Sequence, residues 1–201
     1  SPNLPVIEDP SSYGYYREEG GGLLIGLFEP VSAPWNPKKI PSSFSFGEIN
    51  PDWERMEPFL EKAMARVPET METGIKTFFC GPESFTPDLQ PIIGEAPTIK
   101  NYFIAAGLNS IGIITAGGIG RTLANWIING QPDCDVTAIN ADRFQAFQNT
   151  IEYRKERVVE VLGMVYKCHY PTLSYETCRD IKVSPFHERL KAKGAYFKDV
   201  S

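Results

Sequence analysis

The stretch that most constrains the fold is "FIAAGLNSIGIITAGGIGRTLANWIINGQP", from Phe103 to Pro132. A short apolar run leads into a glycine-rich segment, which is followed by a pattern typical of a helix. This order predicts a strand, a glycine loop and a helix over Gly117 to Asn129 that is closed by Gly130. The start of such a helix offers unpaired N–H groups and a partial positive charge, which suit an electron-rich oxygen. Close packing of helix on strand explains the glycines equally well.

The glycine spacing does not complete a dinucleotide-binding fingerprint. The pair Gly118 and Gly120 would need a glycine or alanine at Leu123. No βαβ unit with an acidic residue at its second strand follows. The motif by itself therefore indicates a loop suited to a ligand and does not identify the ligand.

The remaining sequence predicts a mixture of short strands and helices. Two β-rich runs around three glycines predict a hairpin, and three prolines within 31–46 predict a surface loop. Asn50 as N-cap and Pro51 at the first turn predict a helix that Pro68 ends and Pro58 kinks or restarts. The predicted apolar face of this helix consists of Trp53, Met56, Leu60, Ala63, Met64 and Val67. The predicted strands are Tyr13 to Arg17 and Gly22 to Glu29 of the hairpin, and Ile75 to Cys80, Pro91 to Gly94 and Tyr102 to Ala106. Two further helices are predicted, one over Ala141 to Gly163 and one that starts at Ser184.

Composition narrows the classes of function. The chain has 201 residues, a formal charge of -5 and scattered Lys and Arg, which argues against nucleic acid as a partner. Polar residues and glycines interrupt the apolar run around Arg121, which argues against a membrane span. Four cysteines without a CxxC pair indicate free thiols. Because Cys168 and His169 are adjacent and cannot easily converge on one ion, no metal site is predicted.

A second polar segment is "CGPESFTPDLQP", in which prolines hold Glu83, Ser84, Thr86 and Asp88 in a loop. Rigid polar loops often line functional sites. A solvent-exposed turn in which Thr86 and Asp88 cap local N–H groups is the somewhat better supported alternative.

Three blocks together resemble one known family. They are "YYREEGGGLLIGLFEP", "DWERMEPFLEKAMARVPETMETGIKTFFCGPESFTPDLQPIIGEAP" and "NYFIAAGLNSIGIITAGGIGRTLANWIINGQP". Their order and spacing are similar to the C-terminal half of the FAD domain in dimethylglycine and sarcosine dehydrogenases and in the pyruvate dehydrogenase phosphatase regulatory subunit. The segments "RFQAFQNTIEYRKERVVEVLGMVY" and "SPFHERLKAKGAYF" resemble that family's connecting segment and the start of its folate-binding half.

The resemblance implies an α+β or α/β fold. It is a partial FAD-dependent oxidoreductase fold, glutathione-reductase-like and of the D-amino-acid-oxidase type, without its N-terminal Rossmann unit. It further implies that 1–140 is the C-terminal part of the FAD domain, that 141–183 is a helical connecting segment, and that 184–201 begins an aminomethyltransferase-like domain. The Gly81 to Asp88 loop would border the cofactor.

The resemblance also implies the chemistry. An N-methylated glycine, dimethylglycine or sarcosine, would be oxidised by hydride transfer to the flavin of FAD, with an electron-transfer flavoprotein and tetrahydrofolate as later acceptors in the mitochondrial matrix. The implied cofactor-binding residues surround the helix start, and no catalytic side chain is assigned. They are Ser110, Ile111, Gly112, Ile113, Ile114 and Thr115.

Two departures from the family limit this reading. The GxGxxG unit and a flavin-linking histidine do not occur in the 201 residues, so this stretch alone is expected to bind FAD poorly. Ile114 stands where the related monomeric sarcosine oxidases have a lysine for the substrate carboxylate. A non-catalytic flavin-fold regulator therefore remains the alternative to an amine dehydrogenase, and a cofactor-free interaction domain is a third interpretation.

Overall fold

The computed structural model describes residues 3–35 and 39–198. Within these residues the chain forms two small antiparallel sheets and four α-helices, joined by long irregular segments. Three short 3₁₀ turns lie at Pro68–Glu72, Ala141–Arg143 and Ala146–Asn149. The elements are β1 (Ile7–Asp9), β2 (Gly14–Glu19), β3 (Gly22–Leu27), α1 (Trp53–Arg66), β4 (Ile92–Glu95), β5 (Phe103–Ala106), α2 (Gly112–Asn129), α3 (Ile151–Val165) and α4 (His187–Lys191).

The predicted hairpin is confirmed. β2 and β3 pair antiparallel around Gly20 and Gly21, whose φ angles of +56° and +85° are those that a tight two-residue turn requires. β1 adds a third strand beside β2, which the sequence did not predict. The sheet therefore has the order β1-β2-β3.

The helix α1 begins two residues later than predicted. Its N-cap is Asp52, whose carboxylate accepts a hydrogen bond from the backbone N–H of Arg55 at 3.1 Å. Pro58 lies inside the helix without ending it. The helix ends at Arg66, just before Pro68, as the sequence predicted.

The predicted apolar face of α1 is only partly covered. Ala63 is buried, whereas Trp53 is half exposed and contacts the edge of Phe78 at a ring-centroid distance of 4.3 Å. The prediction that this whole face packs into a core is therefore wrong for the described residues.

The strand predicted at Ile75 to Cys80 does not form. Among the described residues, the segment from Ile75 to Cys80 makes one backbone hydrogen bond to another segment, in which the Ile49 N–H donates to the Cys80 carbonyl at 2.9 Å. A β-rich pattern needs a partner strand, and none lies beside it there. The other two predicted strands are confirmed as β4 and β5, which pair antiparallel.

The small core lies where α2 packs on β4 and β5. Ile93 is fully buried against Leu123 and Val136, and Phe103, Ile119, Trp126 and Ile139 pack around them. Gly94 has a φ of +109°, and a Cβ there would lie 2.6 Å from the Trp126 ring. This contact needs a glycine, because only a bare backbone fits beneath the indole.

The long helix predicted at Ala141 to Gly163 is wrong in its first part. Two 3₁₀ turns occupy that part, and α3 begins only at Ile151. Thr150 has extended backbone angles, and its hydroxyl caps the N–H three residues on, so the helix starts after it. α3 then continues two residues beyond the predicted end.

The helix α3 is held tightly against the segment that follows β3. The Ser32 N–H donates to the Val159 carbonyl at 2.8 Å, and the Ser32 hydroxyl donates to the Val158 carbonyl at 2.7 Å. A Cβ at Gly163 would lie 2.5 Å from the Pro30 Cα. The helix can approach this closely only because residue 163 has no side chain.

Replacing Gly163 by Ala is expected to lower the free energy of unfolding by about 1–3 kcal/mol, because backbone atoms must move to admit the methyl group. Alanine is otherwise the better helix former, so the close contact with Pro30 determines whether the substitution lowers or raises the free energy of unfolding. Gly118→Ala in α2 is the matched control. No described atom lies within 4 Å of its Cβ position, and a gain of up to about 1 kcal/mol is expected in urea denaturation. A Gly163 variant as stable as the control would contradict the contact.

The C-terminal helix begins at His187, three residues after the predicted start at Ser184. The buried His187 ring stacks on Phe197 at 4.4 Å, so this segment packs on itself.

In the predicted loop at 31–46, the described residues form no helix or strand, and 36–38 lie outside the described residues. So do 1–2 and 199–201 of the two predicted terminal domains.

Candidate functional site

The loop that joins β5 to α2 turns through an unusual backbone. Gly107, Asn109 and Ser110 all have left-handed φ angles, +62°, +50° and +66°. Asparagine tolerates this region, but serine adopts it seldom, and such conformations persist only where neighbouring contacts hold them. The turn is therefore a shape that the surrounding structure imposes.

Asn109 is the residue that holds the turn. It is 2% exposed, its side-chain carbonyl accepts the Thr86 N–H at 2.8 Å, and its amide group donates to the Gly107 carbonyl at 2.7 Å. The buried Thr86 in turn donates its hydroxyl to the Gln90 carbonyl at 2.8 Å. The glycine loop and the polar loop are thus joined through one buried amide.

Two further contacts bring these loops together. A Cβ at Gly107 would lie 2.4 Å from the Thr86 methyl carbon, so residue 107 must be glycine for the loops to meet. The Ser110 hydroxyl donates to a Glu83 carboxylate oxygen at 2.9 Å. The polar loop is consequently a wall beside the helix start, and not merely a solvent turn.

The alternative interpretation of the polar loop was correct in one detail. The Asp88 carboxylate accepts the Gln90 N–H at 3.1 Å, as a local cap would. The same carboxylate also forms a two-point ion pair with Arg143, at 2.7 and 3.0 Å. Both side chains are buried. No local sequence pattern identifies this pair, because its partners lie in different segments of the chain.

The helix start differs from the prediction. α2 begins at Gly112 and not near Gly117, and Ile111 is its N-cap, without a side-chain hydrogen bond to cap it. Thr115 is the first residue whose N–H bonds back, to the Ile111 carbonyl at 3.2 Å. The N–H groups before it have no partner within the helix, and the positive end of the dipole lies there.

The structure brings the six predicted site residues together around this helix start. Ser110 ends the left-handed turn, Ile111 occupies the N-cap position, and the other four residues form the first helical turn. Ile113 is 98% exposed, so the first turn is open to a ligand. Their contact with a cofactor remains a prediction. The six are Ser110, Ile111, Gly112, Ile113, Ile114 and Thr115.

The glycines Gly117, Gly118 and Gly120 lie inside α2 and not in a loop. A Cβ at any of them would meet no described atom within 4 Å, so close packing of helix on strand does not explain them. Each glycine inside a helix costs about 1 kcal/mol relative to alanine. Leu123, Ile119 and Trp126 of the same helix pack in the core, and this packing supports the helix despite its glycines.

Sequence reasoning missed an aromatic cluster at the end of α3. Tyr166, at the end of α3, stacks on Phe28 at a ring-centroid distance of 3.6 Å, and Phe28 contacts Tyr15 at 5.2 Å. Burial raises the pKa of Tyr166, and so do the Glu8 and Glu83 carboxylates, while a side-chain interaction with Ser110 lowers it. Nothing near position 166 in the sequence indicates this neighbourhood.

Glu29 follows Phe28 and lies in the same part of the molecule. Burial raises the pKa of its carboxyl group above the ordinary value of 4.5, the Arg55 charge lowers it, and the Glu83 charge raises it. An ionised carboxylate is therefore disfavoured here when the protein is folded.

We expect Glu29→Gln to stabilise the protein in a pH-dependent way. Because the folded-state pKa is raised, the native carboxyl contributes full stability below pH 4.5 and loses it as the pH rises through the folded-state value. The unfolding free energy of the variant should therefore exceed that of the native protein increasingly from acid to neutral pH. Urea denaturation at a series of pH values measures this, and a difference that does not change with pH would contradict it.

The described residues offer neither a metal site nor a membrane-spanning helix. In residues 3–35 and 39–198, no group of three or more His, Cys, Asp or Glu side chains is placed to hold a metal ion. Among the helices of the same described ranges, none combines the length and the apolar content needed to cross a bilayer.

Comparison with known proteins defines the class. The sequence model of the FAD dependent oxidoreductase family matches residues 1–126, and that of the FAD dependent oxidoreductase central domain matches residues 129–184. The chain therefore belongs to the FAD-dependent oxidoreductase family. Its mixed helix and sheet content agrees with the predicted fold class, whereas the lack of a Rossmann unit remains a prediction.

Individual relatives confirm the narrower resemblance. The chain is 44% identical over its whole length to 4-methylaminobutanoate oxidase (formaldehyde-forming) of Paenarthrobacter nicotinovorans, covering 24% of that protein. It is 37% identical, over 96% of its length, to 22% of the mitochondrial pyruvate dehydrogenase phosphatase regulatory subunit of Mus musculus. It is 35% identical, over 98% of its length, to 21% of the mitochondrial sarcosine dehydrogenase of Homo sapiens. The chain spans less than a quarter of the length of these relatives.

Proposed function

We propose that these residues form part of an FAD-dependent oxidoreductase that oxidises an N-methylated amino acid, with the α2 start against the flavin ring. The observation that carries the proposal is the uncapped helix N-terminus, whose turn Asn109 holds in place. Oriented backbone N–H groups cost no reorganisation when negative charge develops beside them. The residues present therefore fit a flavin, whose reduction places charge near its pyrimidine carbonyl.

The chain's own residues would have three tasks. Gly112 and Ile113 offer backbone N–H groups, the open first turn admits a flat ring, and the hydrogen bond to Glu83 of the polar loop fixes the position of Ser110. FAD, when bound, supplies the two-electron acceptor for the hydride that leaves the N-methyl carbon. Loss of this hydride would convert the substrate amine into an iminium ion.

The substrate class rests on the relatives. The names of two of them specify N-methylated amino acids, 4-methylaminobutanoate and sarcosine, and dimethylglycine dehydrogenases match as well. We therefore extend the predicted substrates from N-methylated glycines to this wider class. Electron transfer to a flavoprotein, transfer of the one-carbon unit to tetrahydrofolate, and a mitochondrial matrix location, which the mitochondrial relatives support, belong to the same proposal.

The experiment uses the protein expressed from its complete reading frame. Its FAD is mixed without oxygen with sarcosine, dimethylglycine or 4-methylaminobutanoate, and with glycine as the control that lacks an N-methyl group. We expect at least one methylated substrate, but not glycine, to bleach the visible absorbance of the oxidised flavin.

A second candidate is a regulatory subunit without turnover. The 37% identity to the phosphatase regulatory subunit favours it, since that value is similar to the identity with sarcosine dehydrogenase. Bound FAD that none of the methylated amines reduces would support the regulator and reject the dehydrogenase.

A further inference from the structure

The Arg143 side chain is held from several directions. Its N–H groups donate to both carboxylate oxygens of Asp88, at 2.7 and 3.0 Å, to the Gln90 carbonyl at 2.8 Å and to the Asn140 carbonyl at 3.1 Å. The central carbon of the guanidinium lies 4.1 Å from the centre of the Phe144 ring. Because a guanidinium is planar and its donors point in fixed directions, these contacts hold it in one orientation.

The backbone that carries Arg143 is fixed beside β4. The N–H of Ile93, which is fully buried in the core, donates to the Ile139 carbonyl at 2.9 Å. Ile93 and Asn140 also form an isolated parallel bridge. Arg143 follows in a 3₁₀ turn, and its own N–H donates to the Asn140 carbonyl at 3.3 Å. The guanidinium is therefore attached directly to the core.

A continuous series of hydrogen bonds leads from Arg143 to the turn before α2. The Gln90 carbonyl that accepts from Arg143 also accepts from the Thr86 hydroxyl, at 2.8 Å. The Thr86 N–H donates to the Asn109 side-chain oxygen at 2.8 Å, and the Asn109 amide donates to the Gly107 carbonyl at 2.7 Å. Thr86 and Asn109 are only 3% and 2% exposed, so these bonds lie where water does not compete with them.

The turn needs such support because Asn109 and Ser110 have left-handed φ angles of +50° and +66° just before the helix start. Conformations of this kind persist only where surrounding contacts hold them. We infer that Arg143 is a positioning residue, which acts through the Gln90 carbonyl and Thr86 to hold the turn that orients the first N–H groups of α2. This role rests on the proposed function only where it concerns the flavin. Through it, the segment matched by the central-domain model supports the loop matched by the oxidoreductase model.

The test uses the protein from its complete reading frame and breaks the series at two places. Asp88→Leu with Arg143→Met removes the donor to Gln90 together with its counter-charge, so that no unpaired charge stays buried. Thr86→Val removes the hydroxyl but keeps a methyl group and the backbone N–H of this residue. Hydrogen exchange of the peptide that contains residues 107–115 is the first readout, and it needs no bound flavin. We expect about fivefold faster exchange in each variant, as for the loss of one hydrogen bond.

Each variant has a matched control. Asp133→Leu with Arg121→Met removes a more exposed ion pair, and Thr70→Val removes a hydroxyl that bonds a backbone carbonyl in the 3₁₀ turn after α1. We expect exchange at 107–115 to stay native in both controls. In the two test variants, exchange of the α2 peptide 117–129 should also stay native, because a general loss of stability would speed exchange in both peptides.

Two further measurements complete the test. The combination of all three test substitutions should exchange no faster at 107–115 than the faster of the two test variants, because both interrupt the same series. In the FAD-bound protein, the flavin reduction potential should shift in both test variants and stay native in both controls.

The inference would be overturned by exchange at 107–115 that matches the controls in either test variant. Equal acceleration at 117–129, or additive effects in the combination, would overturn it as well. Faster exchange at 107–115 alone, without a changed potential, would keep the Arg143 role and contradict the flavin placement.

Discussion

Replacing Asp88 by Ala is expected to lower the free energy of unfolding by about 3–5 kcal/mol, because it leaves a buried guanidinium without its counter-charge. The Asp88 and Arg143 side chains are only 5% and 9% exposed. Arg143 also donates to the Gln90 carbonyl at 2.8 Å and the Asn140 carbonyl at 3.1 Å, so the fold holds its guanidinium in place. Urea denaturation followed by circular dichroism measures the change.

Two control variants test whether the loss of stability in Asp88→Ala comes from leaving the buried Arg143 charge unpaired. The double variant Asp88→Leu with Arg143→Met removes both charges, and we expect it to be much more stable than Asp88→Ala alone. Arg121→Ala breaks an ion pair with Asp133 whose side chains are 67% and 34% exposed, and should cost less than about 1 kcal/mol. A loss in Asp88→Ala no larger than in Arg121→Ala would contradict a buried pair.

Asn109→Ala is expected to lower the free energy of unfolding by about 2–3 kcal/mol. The change leaves the buried Thr86 N–H and the Gly107 carbonyl without their partners, and each such loss costs about 1–3 kcal/mol. The alanine must also adopt a left-handed φ that asparagine tolerates better. Denaturation and hydrogen exchange of the 107–115 region measure both consequences.

The matched control for backbone strain is Asn101→Ala. Asn101 has a φ of +62° but is exposed in the turn before β5, and its backbone N–H donates to the Glu95 carboxylate. We expect it to show the cost of the left-handed angle alone, about 1 kcal/mol. Asn109→Asp keeps the acceptor for Thr86 and should be intermediate. Equal losses in Asn109→Ala and Asn101→Ala would show that the buried amide does not hold the turn.

Local chemistry made several elements predictable from the sequence. The consecutive glycines of the hairpin and Gly130, with a φ of +75° at the end of α2, supply backbone angles that other residues avoid. Short apolar runs between proline and glycine turns were also sufficient to predict β4 and β5. Asn109 carried a usable signal that was missed, since an asparagine in a tight turn before a helix is typical of a left-handed position.

Other features depend on contacts distant in the sequence. Ile75 to Cys80 has the composition of a strand but no partner strand among the described residues, and the glycine-containing helix α2 is supported by the packing of Leu123 and Trp126 in the core. The Asp88–Arg143 pair and the stacking of Tyr166 on Phe28 join segments that only the folded chain brings together. The six predicted residues were identified through family resemblance, and the structure adds the reason they form one open helix start.

The most direct test of the account is the removal of one backbone N–H from that helix start. Ile113→Pro deletes the N–H in the first turn, where proline is tolerated in a helix, and Ile113→Ala changes the exposed side chain but keeps the N–H. In the FAD-bound protein from the complete reading frame, we expect Ile113→Pro to bind FAD about tenfold more weakly and to lower its reduction potential. Ile113→Ala should match the native protein. Equal affinity and equal potential in both variants would contradict the placement of the α2 start against the flavin.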